Sequence, residues 1–278
     1  MHTVAIAGGS RSEIKELVQL SLEDWGDQVK FIVFDTEDNI DSDDLWEYRG
    51  YSSEEEMVRE AVRSVASGES GILLKGGIKT HTLLKEVLKK EYKLKKQDLL
   101  SHVALVNLPA LDRHILLTDA GMNITPDDDQ LEQIINNAIQ VGQSIGLKKP
   151  KVALISSAEN VNPKMPSSLT ADRLTKRFKD HEEATVYGPI SLDLSLSEAA
   201  VASKRFTGPI AGDADIIVVP NIDVGNVLYK TFLLFGDATI GGSIVGTNVP
   251  IVLTSRSDKV RSKLYALRFA LMQAESNQ

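Results

Sequence analysis

The stretch "DADIIVVPNIDVGNVLYK" (213–230) decides the fold of this chain. Four consecutive apolar residues, Ile216 to Val219, end at Pro220, which has no N–H to continue a strand ladder. A polar turn of Asn221, Asp223, Gly225 and Asn226 follows. Val227, Leu228, Phe232 and Phe235 then recur at helical spacing. An apolar run without polar alternation indicates a strand covered on both faces, as parallel sheets require. Asn226 is the natural N-cap for the helix that follows.

The same unit recurs outward in both directions. "TVAIA" (3–7), "KFIVF" (30–34), "GILLK" (71–75), "HVALVNL" (102–108), "HILLTD" (114–119), "KVALIS" (151–156) and "PIVLTS" (250–255) join "DIIVVP" (215–220) as expected strands. Amphipathic stretches separate many of them. Residues 53–66 place Met57, Val58, Ala61, Val62 and Val65 on one face, behind "SSEEE", where Ser52 or Ser53 can open a capping box. In the segment from residue 125 to 145, Thr125 can cap and Pro126 suits the first turn, with three aspartates complementing the positive helix end. Leu83, Leu84, Val87 and Leu88 form the expected buried stripe of another helix. Strands alternating with helices give an α/β fold, a mainly parallel sheet with helices on both faces.

Composition narrows the function. The chain has 278 residues, 42% hydrophobic and 25% charged, as in ordinary globular proteins. A net charge of −8 argues against a broad nucleic-acid or anionic-membrane surface. The absence of cysteine excludes disulfides, thiolate metal sites and a cysteine nucleophile, and suits a reducing compartment. No stretch approaches the ~20 apolar residues of a membrane span, and the N-terminal apolar run is too short for a signal-peptide core. Cytoplasm is therefore the expected location. The acidic run "DTEDNIDSDD" (35–44) resembles a calcium loop only in charge, because Ile40 and Trp46 stand where glycine and glutamate are needed. No metal site is expected.

In open parallel sheets ligands bind where strands end at their carboxyl edges. Lys75 ends one strand, with Gly76 and Gly77 allowing backbone approach and Thr80 and Thr82 bringing hydroxyls to the next helix. His81 there reads as structural, and the lysines running on to Lys96 read as a solvated face. Asp119 and Asn123 flank a small-residue turn at a second strand end, where a carboxylate commonly bonds backbone amides. Asn221 and Asn226 mark a third. At the fourth, Ser255 and Arg256 stand where strand gives way to helix, and an arginine fork there matches a phosphate. Asp258 suits the N-cap of the last helix. The glycines of "AIAGGSRSEIKEL" (5–17) carry neither the dinucleotide nor the Walker pattern, so they read as a tight strand-to-helix turn.

Taken together, "LLKGGIKTHTLLKEVL", "DRHILLTDAGMNITPD", "ENVNPKMPSS", "GPISLDLSLSEAA", "GPIAGDADIIVVPNIDVGNVLYK" and "PIVLTSRSDKVRSKLYAL" resemble the phosphate acetyl/butyryl transferase family, most closely its phosphotransbutyrylase branch. The first 60 residues match only loosely. The resemblance implies a two-domain, three-layer α/β/α fold like that of isocitrate and isopropylmalate dehydrogenases, with the active site in the interdomain cleft. It places residues 1–125 plus 245–278 in a discontinuous first domain and 126–244 in an inserted second one. The implied reaction interconverts acyl-CoA plus phosphate and acyl phosphate plus CoA, by direct thiol attack in a ternary complex. Coenzyme A is a substrate, no cofactor is permanently bound, and a butyryl-type chain is favoured over acetyl.

By the same resemblance Ser255 and Arg256 occupy the family's catalytic Ser-Arg positions, and Asn226, Tyr229 and Lys230 match its "GN-x-x-YK" segment. The acetyltransferase branch carries a catalytic aspartate seven residues beyond the serine. Here that residue is Ser262, which leaves Asp258 as a substitute base by proximity. A homodimer or higher homo-oligomer is implied. The alternative is a non-catalytic sensor that binds acyl-CoA or acyl phosphate without turnover. A decarboxylating dehydrogenase on this fold would need a carboxylate cluster and a nicotinamide site, and neither motif is present.

Overall fold

A computed structural model describes residues 1–37, 42, 46–254 and 259–276. The chain divides into two compact units, Met1–Asp98 with Ile240–Gln278, and Leu99–Thr239.

The first unit contains strands β1 (His2–Ala7), β2 (Val29–Asp35), β3 (Trp46–Gly50) and β4 (Ile72–Lys75), with β10 (Thr239–Val245) and β11 (Ile251–Leu253) from the end of the chain. Their order is β3-β2-β1-β4-β11-β10, parallel except for the β10–β11 pair. Helices α1 (Ser12–Trp25) and α9 (Val260–Ser276) cover one face. Ile14, Leu17 and Val18 of α1 and Leu267, Ala270 and Leu271 of α9 share a core with Val4, Ile6, Phe31, Val33 and Leu74. Because strand side chains alternate, Ala5, Ile32, Phe34 and Leu73 point to the opposite face, where α2 (Glu54–Ala66) and α3 (Thr80–Val87) lie. Every side chain of β4 is buried, as expected of a central parallel strand.

The second unit orders β5 (Ser101–Asn107), β6 (His114–Thr118), β9 (Ile216–Val218), β7 (Lys151–Ile155) and β8 (Thr185–Ile190) as β5-β6-β9-β7-β8. β5 and β6 are antiparallel and the remaining pairs parallel. Between β6 and β7 runs α4 (Asp128–Ser144), and between β7 and β8 runs α5 (Pro166–Arg177). Short helices α6 (Leu192–Leu196) and α7 (Glu198–Lys204) follow β8, and α8 (Ile222–Phe235) follows β9.

All eight expected strands are present, but "HVALVNL", "HILLTD" and "KVALIS" end one residue early, at Asn107, Thr118 and Ile155, and "DIIVVP" and "PIVLTS" end two early, at Val218 and Leu253. β3, β8 and β10 were not expected. The cap expectations need three changes. Asn221, not Asn226, caps α8, because its side chain accepts from Val224 N–H at 3.1 Å while Asn226 lies inside the helix. Asp127, not Thr125, opens α4 in a capping box with Gln130. At α2, Ser53 is the cap, while Glu56 is engaged by Ser52 Oγ at 2.8 Å. The buried stripe of α3 also differs: Leu83, Glu86 and Val87 are buried, and Leu88 is 50% exposed. Glu86 takes the inward place because Lys89 and Tyr92 bond its carboxylate at 2.9 and 2.6 Å. Burial opposes its ionisation, but those two hydrogen bonds prevail and hold its pKa below the usual value.

Candidate active site

The first unit brings three strand ends together. Gly8, at φ +84°, turns the chain out of β1, and its N–H donates to Phe34 O at 2.8 Å. The turn after β4 lies directly on this one. Gly76 N–H donates to Ala7 O at 2.9 Å and Gly77 N–H to Gly8 O at 2.7 Å. A Cβ on Gly76 would stand 1.9 Å from Gly8 O, so only glycine fits there. A Cβ on Gly77 would lie 3.0 Å from Arg11 Nε, which places that exposed guanidinium beside the same turn. The "AIAGGSRSEIKEL" segment is thus a tight turn, as expected, and it also delivers a cation that the sequence did not single out.

Lys75 is buried, and its ammonium donates to the carbonyls of Gly76 at 3.2 Å and Ile78 at 3.1 Å. On the neighbouring strand, Leu253 pairs with Lys75, and Thr254 Oγ1 donates to Lys75 O at 3.0 Å. Thr254 therefore reaches the carboxyl edge of β4. Ser255, Arg256 and Asp258 come next and lie outside the described residues. Thr80 and Thr82 occupy the first turn of α3, Thr80 exposed and Thr82 half-buried. Ser262 lies in the first turn of α9, half-buried, with its N–H on Lys259 O at 2.9 Å.

The second unit builds its cluster around Asp119, just past the end of β6. Its buried carboxylate accepts from the backbone N–H groups of Gly121 and Met122 at 2.9 Å, of Asn123 at 3.3 Å and of His102 at 3.2 Å. Asn123 Nδ2 adds a fifth donor at 2.6 Å and also reaches Leu100 O at 2.9 Å. The first turns of α8 pack against this loop. Ile222 N–H donates to Ile124 O at 3.1 Å, and a Cβ on Gly225 would stand 2.4 Å from Asp119 O. Asp119, Asn123 and Asn221 are thus gathered at one place. Tyr229 joins them through His102, ring to ring at 6.3 Å, and Lys230 Nζ lies 5.2 Å over the Tyr229 ring. Asn226 and Lys230 are exposed on the same helix.

His102 is a member of this cluster that sequence reasoning missed. It was read only as the first residue of a strand. The antiparallel pairing of β5 with β6 carries it to the carboxyl end of β6, beside Asp119. Burial pushes its imidazole pKa down, against the pull of the Asp119 charge, and its buried Nδ1 has no hydrogen-bond partner among the described residues. The signal that would have found it is the pairing itself, which a parallel reading of the sheet does not supply. His81, by contrast, is exposed on α3.

Among the described residues no group of three or more His, Cys, Asp or Glu side chains is placed to hold a metal ion. Among them, too, no helix is long and apolar enough to cross a membrane.

Residues 52–271 match the family model described as "Phosphate acetyl/butaryl transferase". A "Probable phosphate butyryltransferase" of Bacillus subtilis is 40% identical over 223 residues, covering 80% of this chain and 75% of that protein. A solved branched-chain phosphotransacylase from Enterococcus faecalis V583 is 57% identical and has a TM-score of 0.95, with 99% of each chain covered. A putative 4-hydroxythreonine-4-phosphate dehydrogenase from Salmonella typhimurium, 12% identical with 98% and 99% covered, has a TM-score of 0.62 and shares the fold alone.

Proposed function

Because the chain belongs to the phosphate acetyl/butyryl transferase family, we propose that it interconverts short-chain acyl-CoA plus phosphate and acyl phosphate plus CoA. In the direction of acyl-CoA synthesis, the CoA thiolate attacks the carbonyl carbon of the acyl phosphate. The tetrahedral oxyanion then collapses, the bond from carbon to the bridging oxygen breaks, and phosphate leaves with the electron pair. Three demands follow: a base for a thiol of pKa about 8.5, donors for the oxyanion, and fixed positive charge for the phosphate.

Arg256 meets the third demand, holding the phosphoryl group bidentately, and Ser255 donates to the oxyanion. Asp258 stands nearest in sequence as the base, in place of the family's aspartate, whose position Ser262 fills. Lys75, Gly76, Thr80 and Thr82 border the phosphate end. Asp119, Asn123, Asn221, Asn226, Tyr229 and Lys230 border the CoA or acyl end, with Asp119 acting through the turn it holds. The observation that carries this assignment is the bond from Thr254 to Lys75 O. It fixes β11 against β4 one residue before the Ser-Arg pair. The names of the two relatives above support a butyryl-type or branched chain over acetyl.

Without cysteine no acyl-cysteine thioester is available, which supports direct transfer within a ternary complex. Initial rates of CoA release, with acyl-CoA and phosphate both varied, test this. Intersecting double-reciprocal lines are expected. Parallel lines would mean a covalent acyl-enzyme. Saturable acyl-CoA binding with no release would instead favour the sensor alternative.

The homodimer belongs to the same proposal. On α8, Val227 and Leu234 fall seven residues apart on one face and are 63% and 71% exposed, with Phe235 83% exposed. Apolar exposure of this kind supports self-association, and light scattering at assay concentration would show a monomer if it is wrong.

A further inference from the structure

We propose that the Arg11 guanidinium is a second cation for the transferred phosphate, in addition to Arg256, an inference that rests on the transferase reading. Three adjacent parallel strands, β1, β4 and β11, end at one edge of the first unit. Arg11 follows the turn after β1, and Gly76 and Gly77 make the turn after β4. Ser255 and Arg256 come directly after Thr254, which is bonded to Lys75 O. β1 and β11 stand about 10 Å apart, two strand spacings, with the β4 turn between them.

The Arg11 side chain is laid across that turn. From a Cβ built on Gly77, Arg11 Cγ lies at 3.5 Å, Cδ at 3.3 Å and Nε at 3.0 Å, so the side chain closes on the turn toward its charged end. The missing Cβ of Gly77 leaves it room. The guanidinium is exposed, and no salt bridge joins it to another described residue. Asp35, the buried carboxylate held against the same turn, is committed to backbone. It accepts from Ser10 N–H at 2.6 Å, Thr36 N–H at 2.7 Å and Glu37 N–H at 3.4 Å. It fixes the residue before Arg11 without pairing with Arg11.

Fold stability does not explain an arginine at this position. Arg11 is the N-cap of α1, at φ −68° and ψ 141°, and its side chain makes no capping bond. An N-cap favours an oxygen that accepts from the first turn, as Ser53 and Asn221 supply at α2 and α8. A cation there also meets the positive end of the helix dipole. Residues that break a local rule in this way concentrate at functional sites. Charge supplies the reason. A phosphate approaching a protein of net charge −8 needs local positive charge, and a planar guanidinium binds two of its oxygens at once.

The test measures KM for phosphate and for butyryl-CoA in CoA release by wild type, Arg11→Asn, Gly77→Ala and the double variant, with urea unfolding of each. Arg11→Asn is expected to raise KM for phosphate about 10- to 100-fold, the effect of removing a hydrogen bond to a charged group, and to leave that for butyryl-CoA within about twofold. Its unfolding midpoint is expected to hold or rise, because asparagine caps a helix that arginine does not; a structural arginine would lower it. In Gly77→Ala the added methyl displaces the guanidinium, so KM for phosphate rises there too, but no further in the double variant than in Arg11→Asn. A rise confined to butyryl-CoA would overturn the proposal and give the guanidinium to the phosphates of CoA. Unchanged KM values, or a lowered midpoint with both constants raised, would overturn it as well. If wild type releases no CoA with phosphate present, the transferase reading itself fails, and this assignment with it.

Discussion

At the end of β4 the Lys75 ammonium donates to the carbonyls of its own turn, while just past β6 the Asp119 carboxylate accepts from the N–H groups of its own turn. The two arrangements are electrostatic opposites with one logic. In each, a charged residue at a strand's carboxyl edge folds the backbone that follows it, and smaller polar residues are left on the resulting surface. They differ in which backbone groups close the cradle. Asp119 gathers the N–H groups of Gly121, Met122 and Asn123 from its own turn, His102 N–H from β5 and the Asn123 amide, while the Gly76 and Ile78 carbonyls of the other turn accept from Lys75. The lesson is that a charge at a strand end is first a lock on the turn. Its effect on a ligand passes through the geometry it holds.

The sharpest way to break this comparison is to remove the carboxylate. Asp119→Ala removes the buried acceptor of three N–H groups in the turn and of His102 N–H on β5, and is expected to cost about 3–5 kcal/mol. Urea unfolding followed by circular dichroism checks this. A loss below about 1 kcal/mol would show that the loop does not need its carboxylate. Lys75→Met keeps the length of the side chain and removes its donors, with an expected loss of about 1–3 kcal/mol by the same measurement. A loss below about 0.5 kcal/mol would show that the turn after β4 does not need its ammonium.

The smallest expected effect is a pH dependence. Burial lowers the pKa of His102 in the folded protein, so the unfolded chain binds its proton first as pH falls. The contribution is fully present above the ordinary histidine pKa of about 6.5 and is lost as pH drops from there toward the lower folded value. His102→Gln, neutral throughout, is expected to flatten the fall in unfolding free energy between about pH 7 and pH 5. Parallel curves for the two proteins would mean that His102 does not stay neutral in its pocket.

Much of the fold was legible because buried parallel strands such as "GILLK" and "DIIVVP" leave unbroken apolar runs. The three missed strands each lack that signature for a physical reason. β3, "WEYRG", and β8, "TVYGPI", each stand at an end of the strand order in their own unit, and an edge strand tolerates charge, glycine and proline. β10, "TIGGSIV", carries glycines because α9 packs directly on it; a Cβ on Gly241 would stand 2.5 Å from Ala266 Cα. In sequence that reads as a turn.

The candidate site was legible in part. Motif order pointed to Lys75, Asp119 and Asn123, and the structure shows how the last two bind each other. It could not show that Asn221 takes the capping role assigned to Asn226, because both have flanking residues suited to a cap. Nor could it place His102 or Arg11, which reach their clusters through strand pairing and through contact between two turns.

The measurement that tests the central claim most directly is CoA release from butyryl-CoA, with and without phosphate, by wild type and Arg256→Ala at equal folded concentration. Strictly phosphate-dependent release by wild type is expected, reduced at least about 10²-fold in the variant, the scale on which removing a group that stabilises transition-state charge acts. Release that does not need phosphate, or an Arg256→Ala rate equal to wild type, would contradict it.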